Sequence, residues 1–244
     1  MNGFYPIFKR ELLAYFRSPV AYVFIIIFLA ANAGCTFFLG NFYDSQQASL
    51  EIFFLFHPWL YLFLIPAVGM RLWSEERRSG TAELLLTFPV RLTTTVFAKF
   101  FAAWFFIGIA LLLTFPMVWT VYFLGSPDKG PIITGYLGSI LMAGSYLAIA
   151  SCTSALTKNQ VISFILSVNI CLVLVLLGWG VLGDTLNSVF PVWISDFVSQ
   201  FSFTTHYDAI RRGVIDLRDI IYFVSIIVIM LMLNVVVLES HKAS

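Results

Sequence analysis

The chain has 244 residues, is 60% hydrophobic and only 11% charged, and carries a net charge of +1 with a mean hydropathy of +0.92. Soluble domains carry roughly 25% charged residues, so this chain has too little charge to cover a water-facing surface, and lipid must be its main solvent. The near-neutral balance gives no bulk attraction to nucleic acid.

The first predicted element precedes any span. On a helix over residues 4–17, Phe8, Leu12 and Tyr15 fall on one face and Arg10, Ala14 and Arg17 on the other. This spacing suits an N-terminal elbow helix lying in the membrane interface, with Ser18-Pro19 turning the chain into the bilayer. Residues 1–19 are assigned to it.

Six apolar runs follow: Val20–Phe42, Ile52–Met70, Val96–Leu124, Ile132–Leu156, Val161–Leu182 and Leu217–Leu238. A span needs about 20 apolar residues. The fold expected is therefore all-α and polytopic, with six transmembrane helices in a single unit over 1–244. The third run is long enough to tilt or protrude. In the first, Asn32-Ala33-Gly34-Cys35 carries a faint likeness to a lipoprotein cleavage site. Asn32, however, stands where an aliphatic residue belongs, and the leader is too long, so the run is read as a retained span.

Between the second and third runs, residues 71–95 form the largest loop on the side of the N-terminus. Ser79-Gly80 is expected to break the arriving helix. Thr81–Phe88 has the composition of about two helical turns, ended by Pro89. A helix this short has little stability of its own in water, and Leu84, Leu85 and Leu86 need an apolar partner. In the fourth run, Gly144, Ala148 and Cys152 recur at four-residue intervals, with Ser151 and Ala155 making a second small pair. That pattern permits close helix contact, expected within one subunit.

Residues 183–216 form the long loop on the other side. Pro191 could open a helix there, on which Trp193, Phe197 and Phe201 recur every fourth residue. It is too short and too polar to span, and it suits a re-entrant helix dipping into the outer leaflet. Asp216 is expected to cap the last span, with Asp219 in its first turn.

Loop charges fix the orientation. One side carries Lys9, Arg10, Arg17, Arg71, Arg77, Arg78, Arg91, Lys99, Lys158 and Lys242; the other carries Lys129, Arg211, Arg212 and Arg218. The first side is expected to be cytoplasmic, with both termini there.

Several chemistries have no residues to support them. There is no G-x-x-x-x-G-K-[ST] loop, no H-E-x-x-H and no G-x-S-x-G. His57, His206 and His241 lack metal-ligand spacing. Cys35, Cys152 and Cys171 lie in apolar runs and read as small core residues. The charged residues are placed outside the cores of the spans, where ion-coupled carriers would need ionisable groups. Asn32, Thr36, Ser145, Ser151, Asn169 and Asn234 are expected to hydrogen-bond between helices. No catalytic, cofactor-binding or metal residue is assigned, and an intramembrane enzyme is disfavoured.

The stretch Glu76-Arg-Arg-Ser-Gly-Thr-Ala-Glu-Leu-Leu-Leu-Thr-Phe-Pro-Val90 resembles the cytoplasmic signature of ABC-2-type permeases, matching it at Gly80, Thr81, Glu83, Leu84, Leu85 and Pro89. Tyr15–Tyr22, Ser154–Val161 and Arg212–Phe223 resemble the gliding-motility type of these permeases. The resemblance covers essentially the whole chain. It implies a permease subunit of an ATP-driven transporter in a bacterial inner membrane, an exporter or a mechanically acting complex. Two such subunits pair, and two ABC ATP-binding subunits hold ATP and Mg beneath them. Thr81–Phe88 would be the coupling helix, with Leu84 and Leu85 anchored in a groove of the ATPase and Glu76, Arg77 and Glu83 in polar contact. A membrane-anchored auxiliary subunit with an extracytoplasmic domain is a further implied partner. The alternative reading is a membrane scaffold that anchors such a subunit without transport.

Overall fold

The computed structural model describes residues 3–44, 48–80, 91–179 and 197–242, and every regular element among them is helical. Helix α1 covers Phe4–Arg17, the span expected for the elbow. Phe8, Leu12 and Tyr15 are half-buried while Arg10, Ala14 and Arg17 are exposed. Ser18 is extended (φ −91°, ψ 128°) and Pro19 opens α2, Pro19–Gly34, which continues as a π-helical stretch over Cys35–Leu39.

The second apolar run is built from two helices in series, α3 (Glu51–Leu55) and α4 (His57–Gly69), and α5 (Arg71–Ser79) continues from it into the loop 71–95. The third run is also divided. Helix α6 (Leu92–Leu112) ends in a turn over 113–115, and Pro116, whose missing N–H costs nothing at a helix start, opens α7 (Pro116–Leu124). Together they run 33 residues, about 50 Å against a hydrocarbon core of roughly 30 Å, so the break lets the far end turn.

Helix α8 (Lys129–Leu156) is capped by Asp128, whose carboxylate accepts from Gly130 N–H, and α9 (Gln160–Leu176) by Asn159, which accepts from Val161 N–H. Helix α10 covers Phe203–Arg211 and α11 covers Leu217–Lys242. Asp216 accepts from Arg218 N–H at the start of α11, with Asp219 in its first turn, the arrangement expected. Among the described residues four stretches are long and apolar enough to cross a membrane: Pro19–Leu39, Leu92–Leu124, Lys129–Leu156 and Leu217–Ser240; Gln160–Leu176 is a shorter apolar helix.

The core is organised around α8, the most buried of the long helices, and its small residues explain why. The place of a Gly144 side chain is taken by Ile227 and Trp104, and that of Gly69 by Ala150. The small-residue stripe thus packs inside one subunit, as expected. Contacts also fix direction. Pairing of Ser145 with Phe223 and of Ser151 with Asn234 makes α11 parallel to α8. Pairing of His57 with Ser139 and of Met70 with Ser154 makes α4 parallel to α8. Tyr136 with Thr114 and Ile140 with Trp104 make α6 antiparallel, and Thr153 with Ser167 does the same for α9.

The polar groups at depth divide into two kinds. Asn234 donates to Ser151 (2.7 Å) and Ser145 to Phe223 O (3.1 Å), bonding helix to helix. Asn32, Thr36 and Asn169 instead bond to carbonyls of their own helices, at Phe28, Asn32 and Ile165. These three depart from the interhelical role expected of them. A carbonyl one turn back is the nearest acceptor for a short polar side chain.

Candidate functional site

The helices that frame residues 81–90 meet at the Leu156 end of α8. Helix α4 gives way to α5 at Met70. There Ser154 of α8 accepts from the N–H groups of Trp73 (3.1 Å) and Ser74 (3.0 Å) and donates to Met70 O (2.7 Å). The first N–H groups of a helix have no partner within it, and Ser154 supplies one from a neighbouring helix. Ser74 Oγ also donates to Met70 O, and Arg77 donates to Ala155 O. Helix α5 is thereby fastened at both ends to the last turn of α8.

Lys99, in the second turn of α6, is buried. Its Nζ lies 2.7 Å from Glu76 Oε1, 3.1 Å from Leu72 O and 3.6 Å from Glu11 Oε1, with the Trp73 ring centroid at 5.1 Å. One ammonium therefore joins α1, α5 and α6. The sequence reading placed Lys99 among loop charges. The structure puts it inside a candidate span, where it is tolerated because its charge is matched and its donors are occupied. Burial pushes the Glu76 carboxyl above its ordinary range and Lys99 draws it back; burial also lowers Arg77.

Helix α5 ends at Gly80, which adopts φ +72°, a left-handed conformation that glycine takes without the penalty of a side chain. Of the residues assigned to ATPase contact, Glu76, Arg77 and Gly80 are brought together here. Thr81, Glu83, Leu84, Leu85 and Pro89, with the expected helix Thr81–Phe88, lie outside the described residues. What the structure shows is the frame: the helices before and after residues 81–90 are ion-paired to each other through Glu76 and Lys99.

At the Lys129 end of α8 lies a second polar group that the sequence reading missed. The buried Arg211 guanidinium bonds Asp208 (2.7 Å) and Glu51 (3.0 Å), joining α10 to α3. His206 places Nδ1 2.6 Å from Asp219 Oδ1 and Nε2 2.8 Å from Gln200 O, under the Tyr222 ring at 4.0 Å. Deeper, Ser139 Oγ is 2.7 Å from both His57 Nδ1 and Tyr207 OH. Among the described residues no carboxylate orients the His57 ring, and its Nε2 has no hydrogen-bond partner there. Trp193 lies outside the described residues. Phe197 and Phe201 are exposed, with rings 5.3 Å apart edge to face. Among the described residues no three His, Cys, Asp or Glu side chains converge as metal ligands.

The family model of the ABC-2 family transporter proteins matches residues 5–240 of the chain. No curated protein matches it.

Proposed function

Since the chain belongs to the ABC-2 family of transporter proteins, its match extending from α1 to the end of α11, it is a membrane permease, and we propose that residues 71–91 are where it takes up work from a separate ATP-binding subunit. The observation that carries this is the Lys99–Glu76 ion pair, which, with Ser154 and Arg77, ties the frame of residues 81–90 to α1 and to the central α8. A push on 81–90 then reaches α4, α6 and α8 together, because packed and hydrogen-bonded elements move as units.

On this reading the Leu156 end of α8 faces the cytoplasm of a bacterial cell, and both termini lie there. The six helical crossings alternate in direction. The chain works as a pair with a second copy or a related permease. The exposed face of α9 favours such pairing. Val161, Ile162, Ile165, Leu166, Ile170 and Val173 surround Asn169, which is also exposed and whose Nδ2 donates to Ile165 O. A polar amide facing lipid is costly and seeks a partner helix. ATP and Mg sit on the partner subunit, and the direction of the work is export or mechanical action.

The test is purification in mild detergent together with the ATP-binding subunit. The expected result is a complex of two permeases and two ATPases whose ATP turnover depends on the permease. A permease that holds an extracytoplasmic subunit but no ATPase would instead make it a scaffold.

A further inference from the structure

Residues 198–202 lead into α10 and are held to the first turns of α11 by two bonds. Tyr222 OH donates to Phe201 O (2.5 Å), and His206 Nε2 lies 2.8 Å from Gln200 O. The other ring nitrogen of His206 lies 2.6 Å from Asp219 Oδ1, and the Tyr222 ring stacks on the imidazole at 4.0 Å. His206 and Asp219 are both buried, at 5% and 6% exposure. A carbonyl oxygen only accepts, and so does a carboxylate. Two acceptors at hydrogen-bond distance need two donors, but a neutral imidazole has one N–H. The geometry therefore calls for one proton more than a neutral ring beside a carboxylate would hold. Moving that proton onto Asp219 leaves the total of the pair unchanged. The 2.6 Å contact is of the short kind made between charged partners, and an aromatic face at 4.0 Å favours a cation.

We propose that His206 and Asp219 form a proton-operated latch: with the extra proton bound, residues 198–202 are pinned to α11, and its loss releases them. Of the two bonds, the one to the carboxylate is the stronger, so a neutral ring keeps Nδ1–H on Asp219. Its Nε2 lone pair then faces Gln200 O, acceptor against acceptor, and Tyr222 is left to hold the segment. Gln200 and Phe201 are exposed, so the segment set free lies at the surface. The titratable groups on the elements around α10 are engaged elsewhere. Asp208 of α10 and Glu51 of α3 bond Arg211, and Tyr207 bonds Ser139. Tyr136 and Tyr146 of α8 bond Thr114 and Pro58 O, and Cys171 of α9 faces Tyr146. Asp216 of α11 accepts from Arg218 N–H, while the Arg218 and Lys129 side chains are exposed. Among the described residues, Asp219 and Tyr222 are thus the titratable groups that meet the ring.

The latch belongs to the permease alone and needs no ATP-binding subunit, so its failure and that of the docking reading are separate results. The whole protein is placed in lipid nanodiscs with a nitroxide label on Gln200→Cys, and the spectrum of protein lacking that cysteine is subtracted. The pH is raised from about 5.5 to about 9, across the range in which imidazole ordinarily changes charge. The otherwise wild-type protein is expected to show an immobilised label at the acid end and to lose most of that component at the alkaline end. Asp219→Asn carries the discriminating expectation. Its amide can donate to Nδ1, so a neutral ring keeps Nε2–H for Gln200 O; at the acid end its oxygen accepts instead. The label should therefore stay immobilised throughout. His206→Phe keeps a ring against Tyr222 but neither nitrogen, and should show a mobile label at every pH. Should these variants fail to accumulate, nitrogen NMR of isotope-labelled histidine decides, in protein carrying His241→Gln. A ring with hydrogen on both nitrogens at the acid end should lose one of them over the same pH interval that frees the label. Label mobility that does not change with pH, a label freed alike with and without Asp219→Asn, or rings that carry a single hydrogen throughout would each overturn the proposal.

Discussion

Lys99 joins α1, α5 and α6 through a single side chain. Its ammonium is buried between Glu76 and Glu11 and stands over Trp73. The worth of such a pair lies mainly in what its loss leaves behind. Lys99→Met keeps most of the stem packing but strands Glu76 in a site that already raises its carboxyl. Breaking a buried pair by removing one partner costs about 3–5 kcal/mol, so Lys99→Met should melt well below wild type in detergent. Lys99→Arg should recover part of the loss, since the charge returns but a planar fork replaces a compact ammonium. Equal melting of Lys99→Met and wild type would show that the cluster is solvated. Glu76→Gln should cost less than Lys99→Met, because Lys99 keeps Leu72 O and Glu11.

At the scale of elements, the helix α5 and its stop at Gly80 define how residues 81–90 are presented. Leu84, Leu85 and Leu86 are three consecutive apolar residues in a loop. Burying one leucine is worth roughly 1.5–3 kcal/mol, so a docking groove gains most from them. Leu85→Asp removes that burial and puts a charge into the groove; it should reach normal membrane levels but lose ATPase co-purification and function. Glu83→Ala should weaken function less, as losing one polar contact costs less than placing a charge in an apolar groove. An ATPase retained at full activity by Leu85→Asp would move the leucines to the membrane surface. Much of this was legible beforehand. Helix α1 was readable from its two-faced spacing, the end of α5 from Ser79-Gly80 and the start of α11 from Asp216. The Glu76–Lys99 pair was not, because 23 positions separate them and neither lies on a periodic face that points to the other. Helix α10 was missed although its signal was present. Ser202 caps it, and Phe203, His206, Tyr207 and Ile210 follow at amphipathic spacing and are all buried. Its polar residues drew it into the loop 183–216. The exposed Phe197 and Phe201 lie just before it. If they enter the outer leaflet, cysteines at these two positions should react slowly with a membrane-impermeant thiol reagent, and a cysteine at the exposed Gln200 faster. Uniformly fast labelling would show a solvated segment.

For the whole molecule, the directions of the helices constrain topology independently of loop charge. Helices α4 and α11 run parallel to α8, while α6 and α9 run against it. Glu11 reaches Lys99, and Arg77 reaches Ala155, which brings α1 to the Leu156 end of α8. Ser151 pairs with Asn234, so α11 leaves toward that same end. Asp128 caps the opposite end of α8. Two unrelated observations, the packing and the excess of Lys and Arg on one side, therefore point to the same arrangement. A membrane-spanning chain whose helices alternate in this way must cross an even number of times between α1 and the end of α11. A cytoplasm-active reporter fused after Ser244 should accordingly be active, and the same reporter inserted beside Asp128 should be silent, with an export-dependent reporter giving the reverse pattern. Both sites reporting from one side would break the alternation. It would also take away the topological basis for the proposed docking of an ATP-binding subunit at residues 81–90.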